Sequence, residues 1–212
     1  MLRDICLIPD VNDGLIFALN SLAAEAIKED DIYHGVRLKL TANLAQARIP
    51  LQIDIGFGDL ISPAPQDIDY PTLLEMPPPR IRAYSMEAVI AEKIEAMVSL
   101  GLLNSRMKDF YDVWYLARAF AFERRTLRAA LAGTFARRHT PWSPESLLNL
   151  LTELGLDADK QAQWRAFLSR GRLAAPEGFQ TIVEAIRVFI VIPDIDPMHW
   201  PAGGPWTAHA LT

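Results

Sequence analysis

Cys6 is the only cysteine in this chain of 212 residues. No disulfide can close within it, which fits a reducing compartment, and no cluster of thiolates can hold a metal. Histidine is scarce too: His34, His139, His199 and His209 fall at no metal-ligand spacing. No apolar run is long enough to span a bilayer. The opening Met1-Leu2-Arg3-Asp4-Ile5-Cys6 is not a signal peptide, because Asp4 and Asp10 interrupt it and no apolar core follows. The default expectation is a cytoplasmic protein without membrane contact. Excess positive charge is also missing. Against 26 acidic residues stand 21 Lys and Arg, a net charge of -5, so the chain as a whole does not attract nucleic acid, although a local basic patch can hide in that sum. What the chain does have is a globular balance, 50% hydrophobic and 22% charged. That suffices for one substantial domain or one domain with a helical appendage. No internal repeat is visible.

Along the chain, residues 2–8 read as a short strand ending at Pro9. The run Asp10-Val11-Asn12-Asp13 supplies helix-capping side chains. Leu15, Ile16, Leu19, Leu22, Ala23 and Ala26 then recur at helical spacing, which predicts a helix over 12–28. Two strands follow. Val36, Leu38 and Leu40 alternate with Arg37, Lys39 and Thr41; Leu51, Ile53, Ile55 and Phe57 alternate with Gln52, Asp54 and Gly56. The short link between them predicts a hairpin with Asp54 facing basic neighbours. Prolines at 63, 65, 71 and 77–79 mark residues 58–80 as a loop, and 80–83 as a short strand. Helices are predicted at 85–101, 106–121, 123–138, 143–154, 158–170 and 176–191. The whole reads as α+β: a small mixed or antiparallel sheet with flanking helices, then a C-terminal helical bundle. The expected domains are 1–84 for the sheet, 85–192 for the helices that complete the site, and 193–212 as an irregular tail.

Several charged residues stand where charge is unfavourable. Lys93 lies three or four residues from Val89, Ile90 and Met97, on the apolar stripe of its helix. It either snorkels or pairs with Glu92 or Glu95, or else it points into a cleft to hold phosphate. Asp109 and Asp112 are neighbours on one helix face, and Lys108 stands four residues from Asp112 at salt-bridge spacing. This is either an ion-paired helix start or part of a site. Asp54 in mid-strand either pairs with Lys39 or Arg37 or serves as a metal-binding or base carboxylate on a sheet floor. Asp4 and Cys6 would share a strand face, but soft sulfur suits magnesium poorly, so Asp4 alone reads as a surface aspartate.

Three stretches in order carry a resemblance: Leu51-Gln52-Ile53-Asp54-Ile55-Gly56-Phe57-Gly58-Asp59, Ala91-Glu92-Lys93, and Ser105-Arg106-Met107-Lys108-Asp109-Phe110-Tyr111-Asp112. Together they resemble the AbiEii/AbiGii toxin family, a branch of the DNA polymerase β-like nucleotidyltransferases. The resemblance implies a toxin of a toxin–antitoxin or abortive-infection system. Such a protein would transfer nucleotides from a nucleoside triphosphate to RNA, tRNA in particular, with Mg2+ and a cognate antitoxin. It implies catalytic roles for Asp54, Lys93, Asp109 and Asp112, nucleotide binding by Lys93 and Lys108, and metal binding by Asp4 and Asp54. The family's first motif, a Gly-Gly-Ser/Thr loop followed by paired carboxylates, is matched only at its tail by Arg3-Asp4-Ile5-Cys6, with Cys6 in place of the second carboxylate. The expectation is therefore an N-terminally truncated copy. The alternative is a catalytically inactive binding protein of the same fold.

Overall fold

The two alternating segments pair as their pattern predicts. In the computed structural model, which describes residues 1–8, 13–29, 33–57, 63–191 and 198–208, strand β2 (Tyr33–Leu44) runs antiparallel to β3 (Ala47–Gly56). A two-residue turn joins them, with Ala45 at φ 50. Arg37 stands directly opposite Asp54, and Lys39 opposite Gln52.

The third strand of this sheet is β1, Leu15–Glu29, paired to β2. A helix was expected there, and the register explains the difference. Between Ala18 and Ala23 the pairing slips: five residues of β1 advance while β2 moves only from Thr41 to Lys39. Extra residues bulge out, so the period-2 alternation changes phase midway. Apolar residues on either side of such a bulge fall at spacings that mimic a helix. Residues 2–5 likewise form a single helical turn, α1 (Leu2–Ile5), where a strand was expected. A turn this short carries no periodicity to read. Within it Asp4 contacts the terminal amine at 2.7 Å. Asp4 and Cys6 therefore do not share a strand face. Residues 10–12, which were to cap the expected helix, lie outside the described residues.

The chain forms two compact units, Met1–Leu60 and Ile61–Thr212. Among the described residues of the first, Leu40 and Ala42 are the buried apolar side chains. The second opens with a hairpin of β4 (Gln66–Asp69) and β5 (Arg80–Ala83); the first of these was not expected. Helices follow close to their predicted spans: α2 (Met86–Leu100), α3 (Met107–Ala119), α4 (Arg124–Arg137), α5 (Pro144–Leu156), α6 (Ala158–Gly171) and α7 (Phe179–Ile190). Their ends obey local chemistry. Ser85 caps α2 by accepting from Ala88 N, Ser143 and Ser146 form a capping box with Pro144 at the first position of α5, and Asp157 caps α6. The architecture is α+β, with small antiparallel sheets and the helices gathered in the C-terminal half. None of the described helices is long and apolar enough to cross a membrane.

The core lies in this second unit, where Ile90, Ile94 and Met97 of α2 meet Phe110 and Val113 of α3 and Phe179, Ile186 and Phe189 of α7. Part of the stretch expected to be irregular joins it. Strand β7 (Met198–Trp200) pairs with both β6 (Phe122–Glu123) and β8 (Thr207–Ala208). Trp200 is buried and donates from Nε1 to the Ala117 carbonyl at 2.6 Å. Trp206 stacks on Phe189. Strands of two or three residues show no alternation, so only the tryptophans could have signalled this packing.

Gly204 faces the Trp200 ring. It has φ +68, and a Cβ there would come within 2.3 Å of Cη2. Gly204→Ala is therefore expected to destabilise the protein by about 2 kcal/mol, from left-handed backbone cost and displacement of the ring. Urea unfolding measures it; an unchanged midpoint would show that Trp200 is not held against this backbone.

Candidate active site

Two lysines and two aspartates meet between α2 and α3. The buried stripe of α2 is Ile90, Ala91, Ile94 and Met97, and Lys93 sits at its edge, half-buried. On α3 the apolar side is Met107, Phe110, Val113, Trp114 and Ala117. Asp109 and Asp112, one turn apart, lie outside that stripe and meet Lys93. Lys93 Nζ contacts Asp109 Oδ1 at 2.7 Å and Asp112 Oδ2 at 2.7 Å. Lys108 Nζ reaches the same Asp112 Oδ2 at 2.5 Å, the expected i,i+4 contact.

Burial separates these cations. Lys93, Asp109 and Asp112 retain 17%, 14% and 22% of their side-chain exposure, whereas Lys108 retains 72%. Desolvation is the largest influence on the Lys93 ammonium and pushes its pKa down. Hydrogen bonds and charge attraction from Asp109 and Asp112 together outweigh it, leaving the pKa raised. Two lysines and two aspartates make the cluster formally neutral. An ammonium has three N–H donors and Lys93 commits two to carboxylates, so one remains for an incoming anion.

The partners suggested by the sequence of α2 itself are taken elsewhere. Glu92 pairs with Arg137 at 3.4 Å. Glu95, buried, accepts from Arg138 Nη1 at 2.7 Å and from Thr140 Oγ1 at 2.5 Å. This second ion network ties α2 to the end of α4. It went unread in the sequence, although the consecutive Arg137-Arg138 at a helix end was a signal for it.

Asp54 lies in the first unit. Arg37 grips it with both prongs, Nε to Oδ1 at 2.8 Å and Nη2 to Oδ2 at 2.8 Å, and Gln52 adds a donor at 3.2 Å. Hydrogen bonding from Arg37 is the main reason its pKa is lowered. Lys39, the other candidate partner, contacts Glu25 instead. Asp4, also in the first unit, has its pKa lowered by the hydrogen bond and charge of the terminal amine. Gly58 and Asp59 of the same motif lie outside the described residues. Among the described residues no group of three or more His, Cys, Asp or Glu could hold a metal ion. Each candidate carboxylate is already engaged by a protein cation.

Lys93→Met is expected to lower the unfolding free energy by about 2 kcal/mol at neutral pH, somewhat below the loss for a fully buried pair. Because the folded pKa of Lys93 is raised above 10.5, its contribution is complete below that value. It is lost as pH rises through the folded pKa. Urea unfolding of both chains on the alkaline side should show their difference shrinking; a difference independent of pH would contradict the ion cluster.

No curated protein matches the chain. A crystal structure of a candidate nucleotidyltransferase from H. pylori is similar over 84% of this chain and 68% of its own, at 15% identity and a TM-score of 0.39. That likeness is too distant to bear on the activity. The family described as "Nucleotidyl transferase AbiEii toxin, Type IV TA system" matches residues 2–185. With that match spanning most of its length, this chain belongs to the AbiEii nucleotidyl transferase toxin family of type IV toxin–antitoxin systems.

Proposed function

We propose that this protein is a toxin that transfers nucleotides from a nucleoside triphosphate to an RNA acceptor, tRNA being the candidate. Family membership supports the reading, and one observation carries it: a half-buried lysine held by two aspartates with one N–H donor left over. Phosphoryl transfer needs positioning and charge stabilisation more than covalent help from the protein. A lysine pinned by two carboxylates is already oriented, so no rotamer freedom is lost when a phosphate oxygen takes the third N–H.

In this reading Lys93 and the exposed Lys108 hold the triphosphate. Asp109 and Asp112 keep the Lys93 ammonium charged and in place. Asp54 is the strand-borne carboxylate, and Arg37 has to release it before it can act. Magnesium would be held chiefly by the triphosphate oxygens and would neutralise charge on the transferred phosphoryl group. The reading places the protein in the cytoplasm, with a cognate antitoxin as its partner. A binding protein without turnover is the second reading, favoured by the hold of the Arg37 fork on Asp54.

Incubation with tRNA, each labelled ribonucleoside triphosphate and magnesium separates the two. The transferase reading predicts label in RNA, with Lys93→Ala lowering incorporation on the order of a hundredfold. Absence of incorporation with every triphosphate would sink it and leave the binding protein.

A further inference from the structure

Beside the lysine–aspartate cluster, and sharing Lys108 and Asp109 with it, α3 and α6 border a cleft of about 690 Å3. Asp109 and Lys108 lie on one wall, with Arg106 just before α3; Gln163, Phe167 and Arg170 of α6 form the other. Arg106 and Arg170 are exposed, and neither has an acidic partner among the described residues. Arg170 spends one N–H on the Ala166 carbonyl of its own helix. Between Lys160 and Glu177 the sequence carries three arginines and no acidic residue. In a chain of net charge -5, a concentration of unpaired guanidinium groups on one cleft marks a local anion surface.

Aromatic rings extend that surface. Residues 108, 111, 115 and 118 follow one side of α3 at helical spacing, giving Lys108, Tyr111, Tyr115 and Arg118. Tyr111 and Tyr115 stack with ring centres 6.1 Å apart and planes 10° from parallel. Phe167 of the cleft wall meets Tyr111 edge-on at 5.9 Å. Tyr115 stays 49% exposed, so a ring already stacked on one side remains open to another flat group. Inside the cleft, Gln163 has a buried side-chain oxygen with no hydrogen-bond partner among the described residues. It can accept from a hydroxyl or amino group of a ligand.

Cations that hold phosphates, an open ring stack and a polar acceptor are what an unpaired strand needs, while a duplex hides its base faces from the rings. We infer that the α3–α6 cleft and the Tyr111–Tyr115 stack form a docking face for single-stranded RNA. Arg106 and Arg170 take the phosphates and Tyr115 stacks a base. The choice of RNA rests on the transferase reading above, in which this face would lead an acceptor strand toward Lys93.

Fluorescence anisotropy with a labelled single-stranded oligouridylate and an RNA duplex of equal length tests the face without turnover. Wild-type protein should bind the single strand more tightly. The pair Arg106→Ser and Arg170→Ser should weaken binding about tenfold and flatten the slope of log affinity against log salt by roughly 1.4, about 0.7 for each cation lost. Tyr115→Ala should weaken it about fivefold with the slope unchanged, and Tyr115→Phe should restore it. All three positions are exposed on the surface, and circular dichroism checks that the helices persist. Equal affinity for duplex, no binding at low salt, or full affinity in the variants would each overturn the face. Binding of this kind without nucleotide incorporation would refute the transferase reading and leave the face standing. Incorporation with an unchanged RNA KM in the arginine and tyrosine variants would do the reverse.

Discussion

A lysine that is mostly withdrawn from water needs compensation, and here it comes from a neighbouring helix. Lys93 of α2 is shared by Asp109 and Asp112 of α3. That contact joins the two helices on the side their apolar faces leave open. An unpartnered ammonium at such depth would lose its proton or break the packing. With both carboxylates present it stays charged, and one of its N–H donors remains uncommitted to them. The three groups are also mutually dependent: removing any one leaves partly buried charge uncompensated.

Much of the second unit was legible in the sequence, because its helices are long and locally consistent. Three of them start at capping residues, Ser85 for α2, Ser143 before Pro144 for α5 and Asp157 for α6. The β2–β3 hairpin was legible for the same reason: clean alternation on both sides of a short link, which also placed Asp54 near a basic residue. The failures have physical causes. A bulge in β1 shifted its alternation and disguised a strand as a helix. Segments such as β6, β7 and β8 are too short to have a period. They hold because Trp200 and Trp206 pack on Phe189, a contact between residues distant in sequence.

The candidate site was legible as a set of residues but not as a set of partners. The sequence suggested Glu92 or Glu95 for Lys93, but these stand one and two residues away along the helix and do not share its face. The actual partners lie across a helix–helix contact, and the two glutamates serve Arg137 and Arg138 instead. In the first unit the opposite holds. Cross-strand register is nearly determined by the hairpin, and Arg37 was among the two partners foreseen for Asp54. The family match over residues 2–185 shows membership. The geometry adds that Lys93 is held by two carboxylates and that Asp54 is gripped by an arginine fork.

The proposed transferase reading turns on Lys93 as its phosphate-binding cation. Isothermal titration of the four ribonucleoside triphosphates with magnesium, into the wild-type chain and into Lys93→Ala, tests it most directly. The account predicts measurable affinity for at least one triphosphate and its loss in the variant. Equal affinity in the two proteins would contradict it.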